Sequence, residues 1–176
     1  MSGQRRNAYG LTLRRIETVG CAAFEALAAL TLRNPQYRLE TQHRLPTRMD
    51  AVDILQKLPV GVLPQQKYVW GIHLGDTLIG HIEVLRDWPA GHLFIGSMSI
   101  AENRQRQGHG RDALRLLALR TRAWGGIRHW RLSVVETQGG ARAFWRAQGF
   151  VDGPFIRLPN YTSPLLTMEK PVFRKD

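Results

Sequence analysis

One heptapeptide constrains this chain more than any other stretch. Gln105-Arg106-Gln107-Gly108-His109-Gly110-Arg111 stands between a strand-like apolar run, Leu93 to Ile100, and an amphipathic helix predicted over about Gly110 to Trp124. A strand feeding a glycine-bearing turn that opens a helix turns unpaired first-turn N–H groups, and the positive end of the helix dipole, toward the turn. Gly108 and Gly110 carry no Cβ to hold an anion away from the backbone. Arg104, Arg106 and Arg111 place guanidinium forks, which match phosphate oxygens, at the rim. The stretch reads as a pyrophosphate site. It is not a Walker loop, since no Lys-Ser/Thr pair follows the second glycine. Gly108-x-Gly110-x-x-Ala113 fits a dinucleotide fingerprint only loosely: Glu136 is too far along, and the stretch comes late in a short chain.

At 176 residues, with 43% hydrophobic and 22% charged residues, the chain suits one globular domain. Residues 1–10, polar and basic, are expected to be a flexible terminus, with residues 11–173 forming the domain. The net charge of +11 favours anionic partners and says nothing about fold. A single Cys21 excludes an internal disulfide framework and fits a reducing compartment. Val19 to Leu32 contains Glu25 and lacks a small-residue cleavage site, so it is neither a signal peptide nor long enough to span a membrane. A cytoplasmic protein is expected.

In chain order, Leu11 to Glu17 alternates as a half-buried strand. Thr18 is placed to cap a helix over Val19 to Leu32, with Cys21 as a core thiol. Gln36 to Arg48 reads as a loop or helix connection, and Asp50 to Leu58 as a second helix. Tyr68 to Leu74 and Thr77 to Leu85 flank Gly75-Asp76 as a β-hairpin. Leu93 to Ile100 is the next strand, with Gly96 marking a bulge. After the long helix come a strand from His129 to Glu136, a short helix from Gly140 to Gln148, and two strands within Pro154 to Met168. Alternating strands and helices around one mixed sheet give an α/β (α+β) domain.

The pyrophosphate stretch and its surroundings resemble the GCN5-related N-acetyltransferase (GNAT) family. Gln105-x-x-Gly108-x-Gly110 matches that family's Gln/Arg-x-x-Gly-x-Gly/Ala motif, and Ala141-x-x-Phe144-Trp145-x-x-x-Gly149-Phe150 is similar to its Ala-x-x-Leu/Phe-Tyr-x-x-x-Gly-Phe signature. The likeness covers roughly Tyr68 to Val172. It implies a central parallel strand pair, Leu93 to Ile100 and His129 to Glu136, splayed into a V that receives acetyl-CoA as cosubstrate. It further implies that backbone groups of Met98, Ser99 and Ile100 pair with the pantetheine arm. Gln105, Arg106, Gln107, Gly108, His109, Gly110 and Arg111 would hold the pyrophosphate, Gln138 would stand where an asparagine faces the cofactor, Arg142 would reach the ribose phosphate, and Trp145 would line the site.

Acetyl transfer to a primary amine by direct attack in a ternary complex needs a proton acceptor, because a lysine-like amine with a pKa of about 10.4 is charged at neutral pH. Glu83 is the candidate base. Relatives commonly carry a carboxylate on the strand before the loop, where Leu93 to Ile100 has none and offers Ser97 and Ser99 as relays. The family's tyrosine, which protonates the departing thiolate, falls at Trp145. Indole does not ionise usefully, and Tyr161 is the substitute donor. His73, His81, His92 and His109 show no ligand spacing, and no metal site is expected. The alternative is a non-catalytic CoA-binding or basic nucleic-acid-binding module on the same fold, with Arg111, Arg115, Arg120, Arg122, Arg128 and Arg131 as its contact face. The partners implied are acetyl-CoA and an amine acceptor, with a homodimer compatible and no membrane.

Overall fold

A computed structural model describes residues 10–172; the expected flexible terminus falls almost wholly outside them. One seven-stranded sheet has the order β1-β2-β3-β4-β5-β7-β6. β1 (Leu11–Arg15), β2 (Lys67–Leu74), β3 (Thr77–Arg86) and β4 (His92–Ile100) pair antiparallel in sequence order. β4 then pairs parallel with β5 (His129–Val135), β5 antiparallel with β7 (Leu165–Pro171), and β7 with the edge strand β6 (Val151–Ile156). The β2–β3 hairpin closes on Gly75-Asp76 as its sequence requires, with Gly75 at φ +61°.

Two apolar clusters cover the two faces. On one face α4 (His109–Thr121) buries Ala113, Leu114, Leu116 and Leu117 against Ile72, Ile82, Val84, Ile95 and Leu132, and α5 (Gly139–Ala147) adds Trp145. On the other, α1 (Ala22–Arg33) and α3 (Arg48–Gln56) pack Phe24, Leu27, Ala28, Ala51 and Ile54 over Ile16 and Val69. Each fully buried aliphatic or aromatic side chain contributes roughly 1.5–3 kcal/mol by leaving water.

The helix starts differ from the sequence reading in instructive ways. Cys21, not Thr18, caps α1: its Sγ accepts the Phe24 N–H at 3.4 Å, so this half-buried thiol is a cap rather than a core residue. The expected loop after Pro35 contains a helix, α2 (Gln36–Gln42). Its pattern is polar because only Thr41 is buried, and it closes at His43, which adopts φ 51°. In the long helix, where the spacing counts Ala118 with Leu114, Leu117 and Thr121 as core, Ala118 faces solvent and Leu116 is buried instead.

The feature that positions the site is a one-residue shift in the β3–β4 ladder. Glu83 pairs with Ser97 but Val84 with Ile95, which leaves Gly96 as the extra residue. Parallel pairing of β4 with β5 covers only His92–Ile95 against His129–Leu132. Beyond the bulge the two strands diverge, as expected of a glycine at this place in the strand. A Cβ at position 96 would stand 3.0 Å from the Glu83 carboxyl carbon, so the glycine also admits that side chain.

Candidate active site

The divergence opens a cleft of about 1910 Å³ between β4, β5 and the N-termini of α4 and α5. Met98, Ser99 and Ile100 line its β4 side, and the loop that follows closes its mouth. Gln105 Nε2 donates to Ile100 O at 3.0 Å, tying the loop back to the strand. Arg106 at φ 60° and Gly108 at φ +85° then turn the chain into α4. The first helical bond runs from Asp112 N to Gly108 O at 3.1 Å, so the N–H groups of His109, Gly110 and Arg111 precede the ladder, an anion-binding arrangement. A Cβ at Gly110 would meet the Phe144 ring at 3.1 Å, so the glycine lets the helix start pack closely against α5.

Of the residues expected at the cofactor site, Gln105, Arg106, Gly108, His109, Gly110, Arg111, Gln138 and Trp145 line the cleft together with Met98, Ser99 and Ile100. Gln107 does not, because its side chain turns back to Asn103 O at 3.3 Å. Arg142 does not either. With Arg146 it grips Asp152, whose carboxyl is held down to about 2 by hydrogen bonds from Arg146 and Arg142. Gln138 Nε2 reaches Glu40 Oε2 of α2 at 3.3 Å. Trp145 is 8% exposed, with its indole edge-on to Phe144 and Phe150. His109 lies at the helix start with Nε2 buried and unpartnered.

The opposite wall carries a cluster of titratable and hydroxyl side chains. Strand alternation and the shifted register put Glu83 and His81 of β3 beside Ser97 and Ser99 of β4 on one face. The Ser97 hydroxyl donates to Glu83 Oε2 at 2.8 Å, and Lys67 Nζ lies 2.8 Å from Glu83 Oε1. His81 Nε2 is 3.0 Å from Ser97 Oγ, and Ser99 Oγ is 2.9 Å from His81 Nδ1. These contacts fix the polarity. Ser97 gives its proton to the carboxylate, so its oxygen must accept from His81 Nε2–H. Burial, reinforced by the charge of Arg38, lowers the His81 pKa to about 4 and keeps the ring neutral. A neutral ring protonated on Nε2 has a bare Nδ1, which takes the Ser99 proton. The result is a directed chain from Ser99, at the cleft, to Glu83.

Tyr161 enters the same cleft from the β6–β7 connection, hydrogen-bonded to Tyr37 of α2. Burial, then the charge and hydrogen bond of Tyr161, push the Tyr37 pKa up, and Glu83 adds to the shift. The structure therefore brings Glu83 and Tyr161 to one cleft. Sequence reading missed Lys67, His81 and Tyr37. His81-x-Glu83 facing Ser97-x-Ser99 was a visible alternation, but the bulge that aligns the two pairs was not a property of either strand alone.

The fold has counterparts in known proteins. The model of the acetyltransferase (GNAT) family matches residues 27–150. No curated protein matches the chain at the sequence level. Among solved structures, an acetyltransferase from Thermus thermophilus superposes with a TM-score of 0.72 at 24% identity, covering 92% of this chain and 97% of that one. An acetyltransferase from Salmonella typhimurium that modifies the N-terminal serine of ribosomal protein L7/L12 gives 0.74 at 15% identity, covering 93% and 95%. The microcin C7 self-immunity acetyltransferase MccE, solved with acetyl-CoA and AMP, gives 0.72 at 14% identity, covering 94% of each chain. At these identities the superpositions establish a shared fold. With a family model spanning most of its length, a β-bulge that splays β4 from β5, and a glycine turn opening α4 at the cleft, this chain belongs to the acetyltransferase (GNAT) family.

Proposed function

We propose that this protein transfers an acetyl group from acetyl-CoA to a primary amine by direct attack within a ternary complex. The observation that carries the reading is the joint presence, in one cleft, of an anion-binding helix start and a polarised chain ending on a carboxylate. Backbone N–H groups of His109 to Arg111, with Arg106 and Arg111, hold the pyrophosphate of acetyl-CoA. The thioester lies along Met98 to Ile100. The acceptor nitrogen attacks the carbonyl carbon, the C–N bond forms and the C–S bond breaks. The proton leaving nitrogen passes to Ser99 as the Ser99 proton moves to His81 Nδ1, the Nε2 proton to Ser97, and the Ser97 proton to Glu83. Tyr161 supplies the proton taken up by the departing CoA thiolate, the task that Trp145 cannot perform. A positioned base of this kind accounts for a rate factor of about 10²–10⁴.

The test is CoA-thiol release with a panel of amines, comprising peptide α-amines, polyamines and aminoglycosides. An amine-dependent release that falls at least about a hundredfold in Glu83→Gln supports the reading. Release equal in wild type and variant removes Glu83 from the reaction. Bound acetyl-CoA with no turnover on any amine favours a non-catalytic CoA-binding module.

A further inference from the structure

His92, His129 and Glu169 meet at the closed end of the strand pair, outside the acyl cleft. β4 and β5 set His92 and His129 in register, and β5 and β7 set Arg131 beside Glu169. The two imidazoles stack with centroids 5.4 Å apart. His92 Nε2 lies 3.5 Å from Glu169 Oε2, and His129 Nε2 lies 3.7 Å from Glu169 Oε1. One donor atom from each residue falls within 4.8 Å of the others, and all three are half-buried. A tetrahedral shell with ligands at about 2.0–2.1 Å has edges of about 3.3 Å, so the group closes around an ion by shifts of side chains alone.

The hydrogen bonding points the same way. His92 Nδ1 lies 3.1 Å from Ala90 O, a carbonyl that only accepts, so the proton sits on Nδ1. In a neutral ring Nε2 then turns a lone pair toward a carboxylate oxygen. Two acceptors facing each other at 3.5 Å do not bind one another, and a metal ion between them would engage both lone pairs. An imidazole whose outer N–H is held by a backbone carbonyl is also the arrangement that orients metal-bound histidines. Arg131 Nε stands 3.3 Å from Glu169 Oε2 without a hydrogen bond, and its charge moderates the hold on a divalent ion.

We infer that His92, His129 and Glu169 bind a borderline divalent transition metal of the Zn²⁺ type. Two imidazoles and a carboxylate suit Zn²⁺, Co²⁺ or Ni²⁺ better than the oxygen-seeking Mg²⁺ or Ca²⁺. Water completes the tetrahedron. The ion clips β4, β5 and β7 together where the sheet is closed, so its role is structural and independent of acetyl transfer.

The test is titration of ZnCl₂ into chelator-treated, full-length protein, with Co²⁺ visible absorption as a second readout. One equivalent binds with a micromolar Kd, Co²⁺ gives the bands of a four-coordinate ion, and His129→Gln and Glu169→Gln each weaken binding at least about tenfold. At a Zn²⁺ concentration about one hundred times the wild-type Kd, the wild-type Tm rises by about 5–10 °C, and the variants' Tm rises by no more than about half as much. Should either variant fail to fold without metal, His92→Gln serves in its place. No saturable binding would overturn the site. Binding that persists undiminished in the variants would overturn it equally.

Discussion

The two walls of the cleft are built from different kinds of information. The cofactor wall is nearly contiguous: Met98 to Arg111 supplies a strand end, a loop and a helix start, held by local bonds such as Gln105 Nε2 to Ile100 O and Asp112 N to Gly108 O. The wall we propose for the acceptor is assembled from distant segments. Tyr37 comes from α2, Lys67 from β2, His81 and Glu83 from β3, Ser97 and Ser99 from β4, and Tyr161 from the β6–β7 connection. Chemistry that needs a preorganised anion site is encoded in a few consecutive residues. Chemistry that needs a proton path depends on how strands align. Substitutions on the two walls should therefore separate cleanly into effects on cofactor affinity and effects on turnover.

The largest separation is expected at the end of the chain of hydrogen bonds. Glu83→Gln lowers kcat by about 10²–10⁴ while acetyl-CoA affinity stays within about twofold, measured by steady-state kinetics beside calorimetry. His81→Ala interrupts the chain one step earlier and costs kcat about 10–100-fold, with Kd for acetyl-CoA again unchanged.

The pH dependence of stability probes the same wall without substrate. His81 has a folded pKa of about 4 against an ordinary value of 6.5, so between those values the unfolded chain binds more protons than the folded one. Stability is full above about pH 6.5 and falls by about 3 kcal/mol as pH drops toward about 4, read from denaturant melts. His73, also lowered chiefly by burial, adds to the slope in the same direction. A His81→Gln variant with an unchanged slope would show that the buried imidazole is not its source.

A smaller effect is expected at the support behind α2 and α3. Asp50 receives Arg44 Nη1 at 2.8 Å, Arg38 at 3.1 Å and the Thr47 N–H at 2.7 Å. Burial works against its charge, but these partners outweigh it and hold the pKa at about 2, down from 3.8. Asp50→Asn costs about 2 kcal/mol of stability above about pH 4, a difference that disappears as pH falls toward about 2, and it leaves acetyl-CoA affinity intact. The smallest effect is expected at Arg142→Ala, which changes acetyl-CoA affinity by no more than about twofold because that guanidinium is committed to Asp152 rather than to the cleft.

Legibility in the sequence follows the same division. The heptapeptide, Gly96 and the Phe144-Trp145 signature announced the loop, the bulge and the pocket wall because each depends on neighbours in the chain. Arg142 looked available for phosphate, since helix spacing does not reveal an aspartate arriving from β6. Glu83 was identifiable by residue type. Its partners were not, because Lys67 sits at the end of a turn-rich segment and Ser97 reaches Glu83 only through the register shift. α2 was hidden by a polar pattern with one buried residue, yet it brings Tyr37 and Glu40 to the cleft.

The most direct measurement is calorimetric titration of acetyl-CoA into the wild-type protein and into Gly108→Glu. Gly108 holds φ +85°, and a Cβ there would stand 3.3 Å from the Arg111 guanidinium, with the Glu carboxylate extending into the proposed pyrophosphate position. One-to-one binding with a Kd in the range of about 1 μM to 1 mM, weakened at least about a hundredfold in the variant, is the result expected of a helix-start pyrophosphate site. Wild-type protein that fails to bind acetyl-CoA, or a variant that binds it equally well, would contradict the assignment of the cleft.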